Sequence, residues 1–140
     1  WKAKKVDRYL EAIRAIQDHG IRVNGCFILG LDGTGLDSFD SVWDLVRASG
    51  LYDIQITVQT AFPATPLYER LRREGRLLRE GAWELCTLFD VNFRPSHMSA
   101  AELESGFRKL IALIYSEEAT KRRRDQFYAN YRAKRMRAIA

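Results

Sequence analysis

The stretch from His19 to Gly33, His-Gly-Ile-Arg-Val-Asn-Gly-Cys-Phe-Ile-Leu-Gly-Leu-Asp-Gly, constrains this chain more than any other. It reads as a helix stop, a strand, and a glycine-rich loop that opens the next helix. Ile21, Val23, Phe27 and Leu29 alternate with Arg22, Asn24, Cys26 and Ile28. That alternation puts the two sets on opposite faces of a strand. Gly30 and Gly33 then allow a tight turn or a close approach to a ligand. In α/β proteins ligands bind beyond the carboxyl ends of strands, so a ligand loop and an ordinary turn are both open readings.

A chain of 140 residues with 46% hydrophobic side chains can build one domain with a core, and general disorder is excluded. No apolar run approaches a transmembrane span, and the charged start lacks the apolar segment of a signal peptide. Cys26 and Cys86 form no disulfide framework, which fits a reducing cytoplasm, and no histidine or cysteine stands at metal-ligand spacing. The chain opens on Trp1 rather than Met, as a processed product, a fragment or the ordered part of a longer protein would. Charge is uneven. From Lys121 onward eight cations face Asp125 alone, which leaves the body slightly acidic within a net charge of +5.

Val6, Tyr9, Leu10, Ile13 and Ile16 predict an amphipathic helix over 3–19, capped by Gly20. A strand over 21–29 and the loop 30–36 follow. Asp37 is the expected N-cap of a helix over 38–49 that buries Phe39, Val42, Trp43 and Val46. In a second strand, 52–60, Ile54, Ile56 and Val58 oppose Gln55, Thr57 and Gln59. Thr65 as N-cap and Pro66 at the first position open a helix to Glu74. A short helix is expected around Gly81–Cys86 and a third strand over 88–94. Ser99-Ala-Ala-Glu102 is a capping box for a further helix, and the basic tail is a last helical segment.

Strands separated by helices indicate βαβ units and a parallel sheet. Fully buried parallel strands read as unbroken apolar runs, yet two strands here keep a polar face. A barrel or half-barrel with its polar face toward a ligand cavity accounts for this; a sheet with one solvated face is the other reading.

Gly30-Leu-Asp-Gly-Thr-Gly35 matches neither the dinucleotide fingerprint nor a phosphate loop. Asp32 suits an Asx-turn or a ligand hydroxyl. His19 complements a helix dipole, His97 lies in a loop, and neither has the partners of a catalytic triad. Cys86, Trp43 and Trp83 are expected in the core. The tail carries Phe127, Tyr128 and Tyr131 among its cations; it can bind nucleic acid or anionic lipid, or lie as a solvated helix docked by Phe127 and Tyr131.

Three motifs together resemble a known family. They are Gly20 to Gly33, then Gln59-Thr-Ala-Phe-Pro-Ala-Thr-Pro-Leu-Tyr-Glu-Arg-Leu71, then Phe93-Arg-Pro-Ser-His-Met-Ser-Ala-Ala-Glu-Leu103. The chain from about Tyr9 to Ser116 resembles the C-terminal half of radical S-adenosylmethionine (SAM) enzymes, in particular the cobalamin-binding subgroup. The resemblance implies an incomplete (β/α) barrel: its last strands in residues 1–75, and in residues 76–140 an accessory, mainly helical module ending in a basic helix. It implies that Asn24, Cys26, Ile28, Gln55, Thr57 and Gln59 face the barrel lumen and that Gly30 lies at the top, near SAM or substrate. A [4Fe-4S] cluster that cleaves SAM, and methyl transfer through cobalamin, are the implied chemistry.

The departures bound what the chain does alone. The cluster motif Cys-x-x-x-Cys-x-x-Cys, the glycine-rich SAM strand and the cobalamin domain are absent from it, and Ala61 and Ala64 replace the first proline and the glycine of Pro-Phe-Pro-Gly-Thr-Pro. The expectation is therefore a fragment without catalytic or metal-ligating residues of its own, inactive alone and binding no cluster. Expected partners are the upstream half of its barrel, a small-molecule or lipid substrate, and a second copy through the open sheet edge. The alternative is a non-catalytic module that binds nucleic acid or an anionic membrane through residues 121–137, which would put a cytoplasmic protein at the membrane surface.

Overall fold

The computed structural model describes residues 2–139, with side chains from Val6 to Met136. Trp1, and the Arg137 side chain counted in the basic tail, lie outside the described residues. Among those described, the order is α1 (Lys2–Gln17), β1 (Asn24–Leu29), α2 (Asp37–Ser49), β2 (Asp53–Val58), α3 (Pro66–Arg73), a 3₁₀ turn (Trp83–Leu85), α4 (Ala100–Ile114) and α5 (Glu117–Ile139). The class is mixed α/β and mostly helical. β1 and β2 form a two-stranded sheet. Asp53 N–H donates to Val23 O and Gln59 N–H to Leu29 O, so the strands run parallel at a constant offset.

The chain divides into two compact units, with each strand contributing to both. In the first unit, Val46, Leu51, Ile54, Ile114 and Phe127 are buried. Gln17 ties the end of α1 to the α2–β2 turn: its amide donates to Gly50 O at 2.8 Å and accepts from Tyr52 N–H at 3.0 Å. The Tyr52 ring meets Phe127 edge to face at 5.0 Å, and Tyr131 stacks on Phe127. The aromatic positions of the tail therefore dock α5, as their spacing of four allows. The apolar stripe of α1 is real in sequence but open in structure, with Val6, Tyr9 and Ile16 all exposed.

The second unit is built on Leu29, Ile56, Val58, Leu71, Phe93, Leu103, Phe107 and Leu110. The capping box forms as expected: Ser99 N–H donates to Glu102 Oε2 at 2.7 Å, and Glu102 N–H to Ser99 Oγ at 3.1 Å. Thr65 caps α3 by accepting from Tyr68 N–H, with Pro66 behind it.

The expected third strand over 88–94 does not form. Leu88 has φ 71, which turns the backbone out of the extended region. Its carbonyl accepts Val58 N–H, and only the far end pairs, Phe93 bridging antiparallel to Leu77. The helix expected around Gly81–Cys86 shrinks to one 3₁₀ turn. Trp83, expected in the core, is 65% exposed.

Candidate functional site

The exposed sheet face follows the alternation at Asn24, Cys26, Ile28 and Gln55 but not at Thr57. Asn24, Cys26 and Ile28 are exposed on β1, while Ile54, Ile56 and Val58 are buried on β2. In the first unit the Cys26 thiol lies 3.8 Å from Gln55 Oε1, itself exposed. In the second, Thr57 is buried, with its hydroxyl 3.5 Å from Phe27 O, and Gln59 is half-buried. Five of the seven candidate residues are thus side chains of β1 and β2, and Gln59 follows β2 directly. The seventh, Gly30, follows β1 directly.

Gly30 is buried at φ 80, and a Cβ there would stand 2.7 Å from Leu103 Cδ2. Only glycine, with no Cβ, fits that backbone and that space. The chain then turns over Leu31–Thr34: Thr34 donates to Leu31 O through both its N–H (3.1 Å) and its hydroxyl (2.6 Å), and Gly33 supplies φ 81.

This turn holds Asp32 out toward partners far away in sequence. One carboxylate oxygen lies 2.6 Å from the Arg70 guanidinium; the other accepts from Arg76 at 2.7 Å and from the Ser96 hydroxyl at 2.8 Å. Arg76 also pairs with Glu74 at 2.9 Å and donates to Arg94 O at 2.8 Å. Arg94 donates in turn to Gly75 O. The three motifs that carry the resemblance therefore meet at Asp32. The Arg76 hydrogen bond above all, with those from Ser96 and Arg70, holds the Asp32 carboxyl far below the usual carboxylate range, against the opposing effect of burial. The same contact raises Arg76. A carboxylate pinned in this way keeps no proton at neutral pH and is no general acid; its work is to fix the glycine loop.

A second clamp holds the Ala61–Pro66 segment. The buried Asn92 accepts Ala61 N–H at 3.0 Å and donates to Ala61 O at 3.1 Å, replacing a neighbouring strand with one side chain. Cys86, expected in the core, is only partly buried beside this clamp, 3.7 Å from Asn92 Nδ2. Ala64 takes φ 60 where the resembled motif has glycine. Arg70 and Ser96 lie inside the quoted motifs, but nothing local marks them as partners of Asp32; Arg76 and Asn92 carry no motif at all.

His19 Nδ1 donates to Ala15 O at 2.8 Å across the end of α1, in keeping with a helix-end role, and His97 is exposed. Among the described residues no three His, Cys, Asp or Glu side chains come together to hold a metal ion, and no helix is long and apolar enough to cross a membrane.

Residues 65–139 match the family described as a domain of unknown function (DUF4070). A hopanoid C-2 methylase from Rhodopseudomonas palustris (strain TIE-1) is 31% identical over 127 residues, which are 91% of this chain and 23% of the relative. A bacteriochlorophyllide d C-12(1)-methyltransferase from Chlorobaculum tepidum is 23% identical over 121 residues, 86% of this chain and 26% of the relative. The chain spans about a quarter of the length of these curated relatives.

Proposed function

For a chain that belongs to the DUF4070 family, and with it to the C-terminal region of cobalamin-type radical SAM enzymes, we propose a share in a carbon methyltransferase. In this reading β1 and β2 are the last strands of an incomplete (β/α) barrel whose earlier strands come from the rest of the protein. Residues 1–75 complete the barrel, and residues 76–140 form the accessory module.

The observation that carries the reading is the parallel strand pair: apolar and buried on one face, polar and open at Asn24, Cys26 and Gln55 on the other. A sheet half-exposed to bulk water needs no such arrangement of glycine loop and clamps beyond its carboxyl end. A ligand-binding barrel does, because its loops must stand still to position a substrate. Asn24, Gln55 and Gln59 offer amide donors and acceptors to SAM or substrate, and within the second unit Asp32 with its arginines fixes the Gly30–Thr34 turn. Phe62, Leu88 and Phe89, exposed beyond the end of β2, suit an apolar small-molecule or lipid substrate. Both relatives are named for methyl transfer to a numbered carbon, which supports the reaction class.

The chain's own residues do not fit an iron–sulfur cluster, since its two cysteines form no ligand set among the described residues. The cluster, its SAM cleavage and any cobalamin would belong to the complete protein, and the isolated chain would be inactive. β1 pairs only with β2 among the described residues, so its open edge would take the preceding barrel strand, or a second copy when the chain stands alone.

The test is SAM turnover by the complete protein, purified without oxygen. Gln55→Ala and Asn24→Ala should raise the KM for SAM or substrate about tenfold or more while leaving iron content unchanged. Unchanged kinetic constants in both variants would remove these strands from the cavity.

One observation favours a second reading. Lys121, Arg122, Arg124, Arg132 and Arg135 stay exposed on α5. A module that binds nucleic acid or anionic membrane through residues 121–137 would lose affinity steeply with added salt. Binding indifferent to salt would exclude it.

A further inference from the structure

The run Lys121-Arg122-Arg123-Arg124 reads as a solvated stripe, but α5 treats one member differently. Lys121, Arg122 and Arg124 are exposed; Arg123 is only 8% exposed. Helical spacing explains the choice, since Arg123 lies four residues before the buried Phe127. Its guanidinium donates to Ile114 O at 2.7 Å and to Thr120 Oγ1 at 3.3 Å. Its Nε is buried without a partner, and no described carboxylate forms an ion pair with the side chain. Burial disfavours the charged form, and the Asp53 carboxylate, which forms no ion pair with it, opposes that effect only in part. A guanidinium kept out of water without a counter-ion is costly, and an anion bound beside it removes that cost.

A cavity is there to receive one. Arg123 lines a space of about 70 Å³ between the last turns of α2 and the first turns of α5, shared with Arg47, Arg122 and Gln126. Arg47 is oriented by the Trp43 ring, whose centroid lies 5.8 Å from its guanidinium carbon. Arg47 and Gln126 also line an adjoining space of about 240 Å³ that adds Arg14 and Asp18. Four arginines thus face one aspartate across the two lobes. A water needs about 10–15 Å³ of such space, so the small lobe takes the oxygens of a phosphate but not a fused ring. Guanidinium forks match phosphate oxygens in geometry and charge. An extended polyanion would use the exposed cations and leave Arg123 unpaired.

We propose that this two-lobed cavity is an oxyanion site that takes the phosphate group of a phosphorylated ligand in its small lobe, held by Arg47, Arg122 and Arg123. The body of the ligand lies in the larger lobe. The site is independent of the proposed methyl transfer.

Equilibrium dialysis of radiolabelled inorganic phosphate against the complete protein tests it. One saturable site is expected at physiological salt, with Arg47→Gln and Arg122→Gln each weakening it about tenfold or more. Both side chains are exposed, so these variants keep the fold; Arg123→Met, which also loses the bond to Ile114 O, should abolish binding. Vesicles of phosphatidic acid and of phosphatidylcholine identify the source. Selective binding to phosphatidic acid, displaced by inorganic phosphate, assigns a lipid headgroup; phosphate binding without vesicle binding assigns a soluble phosphate ester. Absence of saturable phosphate binding, or equal binding by wild type, Arg47→Gln and Arg122→Gln, overturns the proposal.

Discussion

The Asp32 carboxylate accepts a 2.7 Å hydrogen bond from Arg76, across 44 residues of chain. Arg70 and Ser96 complete its shell, so one side chain joins the loop after β1 to the end of α3 and to the Arg94–Ser96 segment. Asp32→Asn keeps the shape and removes the charge. We expect a loss of about 1–2 kcal/mol at neutral pH, discounted because Arg70 is 44% exposed. The folded-state carboxyl is held below its unfolded value, so its stabilisation is complete above about pH 4 and fades as pH falls toward the folded value. Urea titrations of wild type and Asp32→Asn should therefore converge between about pH 4 and pH 2. A gap that stays constant across that range would mean Asp32 acts by shape alone.

Asn92 substitutes for a missing strand. Its amide satisfies both backbone groups of Ala61, a residue with no exposed surface. Asn92→Ala should cost about 2–4 kcal/mol, since a donor and an acceptor are left buried and unpaired. Asn92→Asp keeps the acceptor for Ala61 N–H but aims an anion at Ala61 O, so it should be as costly at neutral pH and recover on acidification. A change under about 0.5 kcal/mol in the alanine variant would show that water replaces the amide.

Ala64 sits at φ 60 and its side chain is exposed. A left-handed conformation costs an L-residue about 1–2 kcal/mol, and glycine returns part of that as unfolded-state entropy. Ala64→Gly should stabilise the protein by about 0.5–1 kcal/mol, read as a higher urea midpoint at unchanged slope. A lower midpoint would mean the methyl group makes a contact worth more than the strain.

The strands, loop and helix caps were legible because their causes are local. Alternation fixes which face of β1 is polar, and Thr65 and Ser99 cap helices through atoms three residues away. The strand expected over 88–94 does not form for reasons that alternation does not encode: Leu88 turns to φ 71, and Ala61 is paired by the Asn92 side chain rather than by a strand backbone. Trp83 has the composition of a core residue and lies exposed. Asp32 looked like a turn residue, which it is; its arginines come from other elements, and no periodicity links positions so far apart. Arg123 is indistinguishable in sequence from its cationic neighbours until α5 docks through Phe127.

The proposed place of this chain, in the C-terminal region of a radical SAM enzyme, is tested in the complete protein. Its most direct test is to isolate the complete protein from its native cells without oxygen, assay iron and sulfide, and incubate it with SAM and a reductant. The expected result is about four irons and four sulfides per cluster and SAM-derived nucleoside products. A complete protein that carries no iron and leaves SAM intact would contradict it.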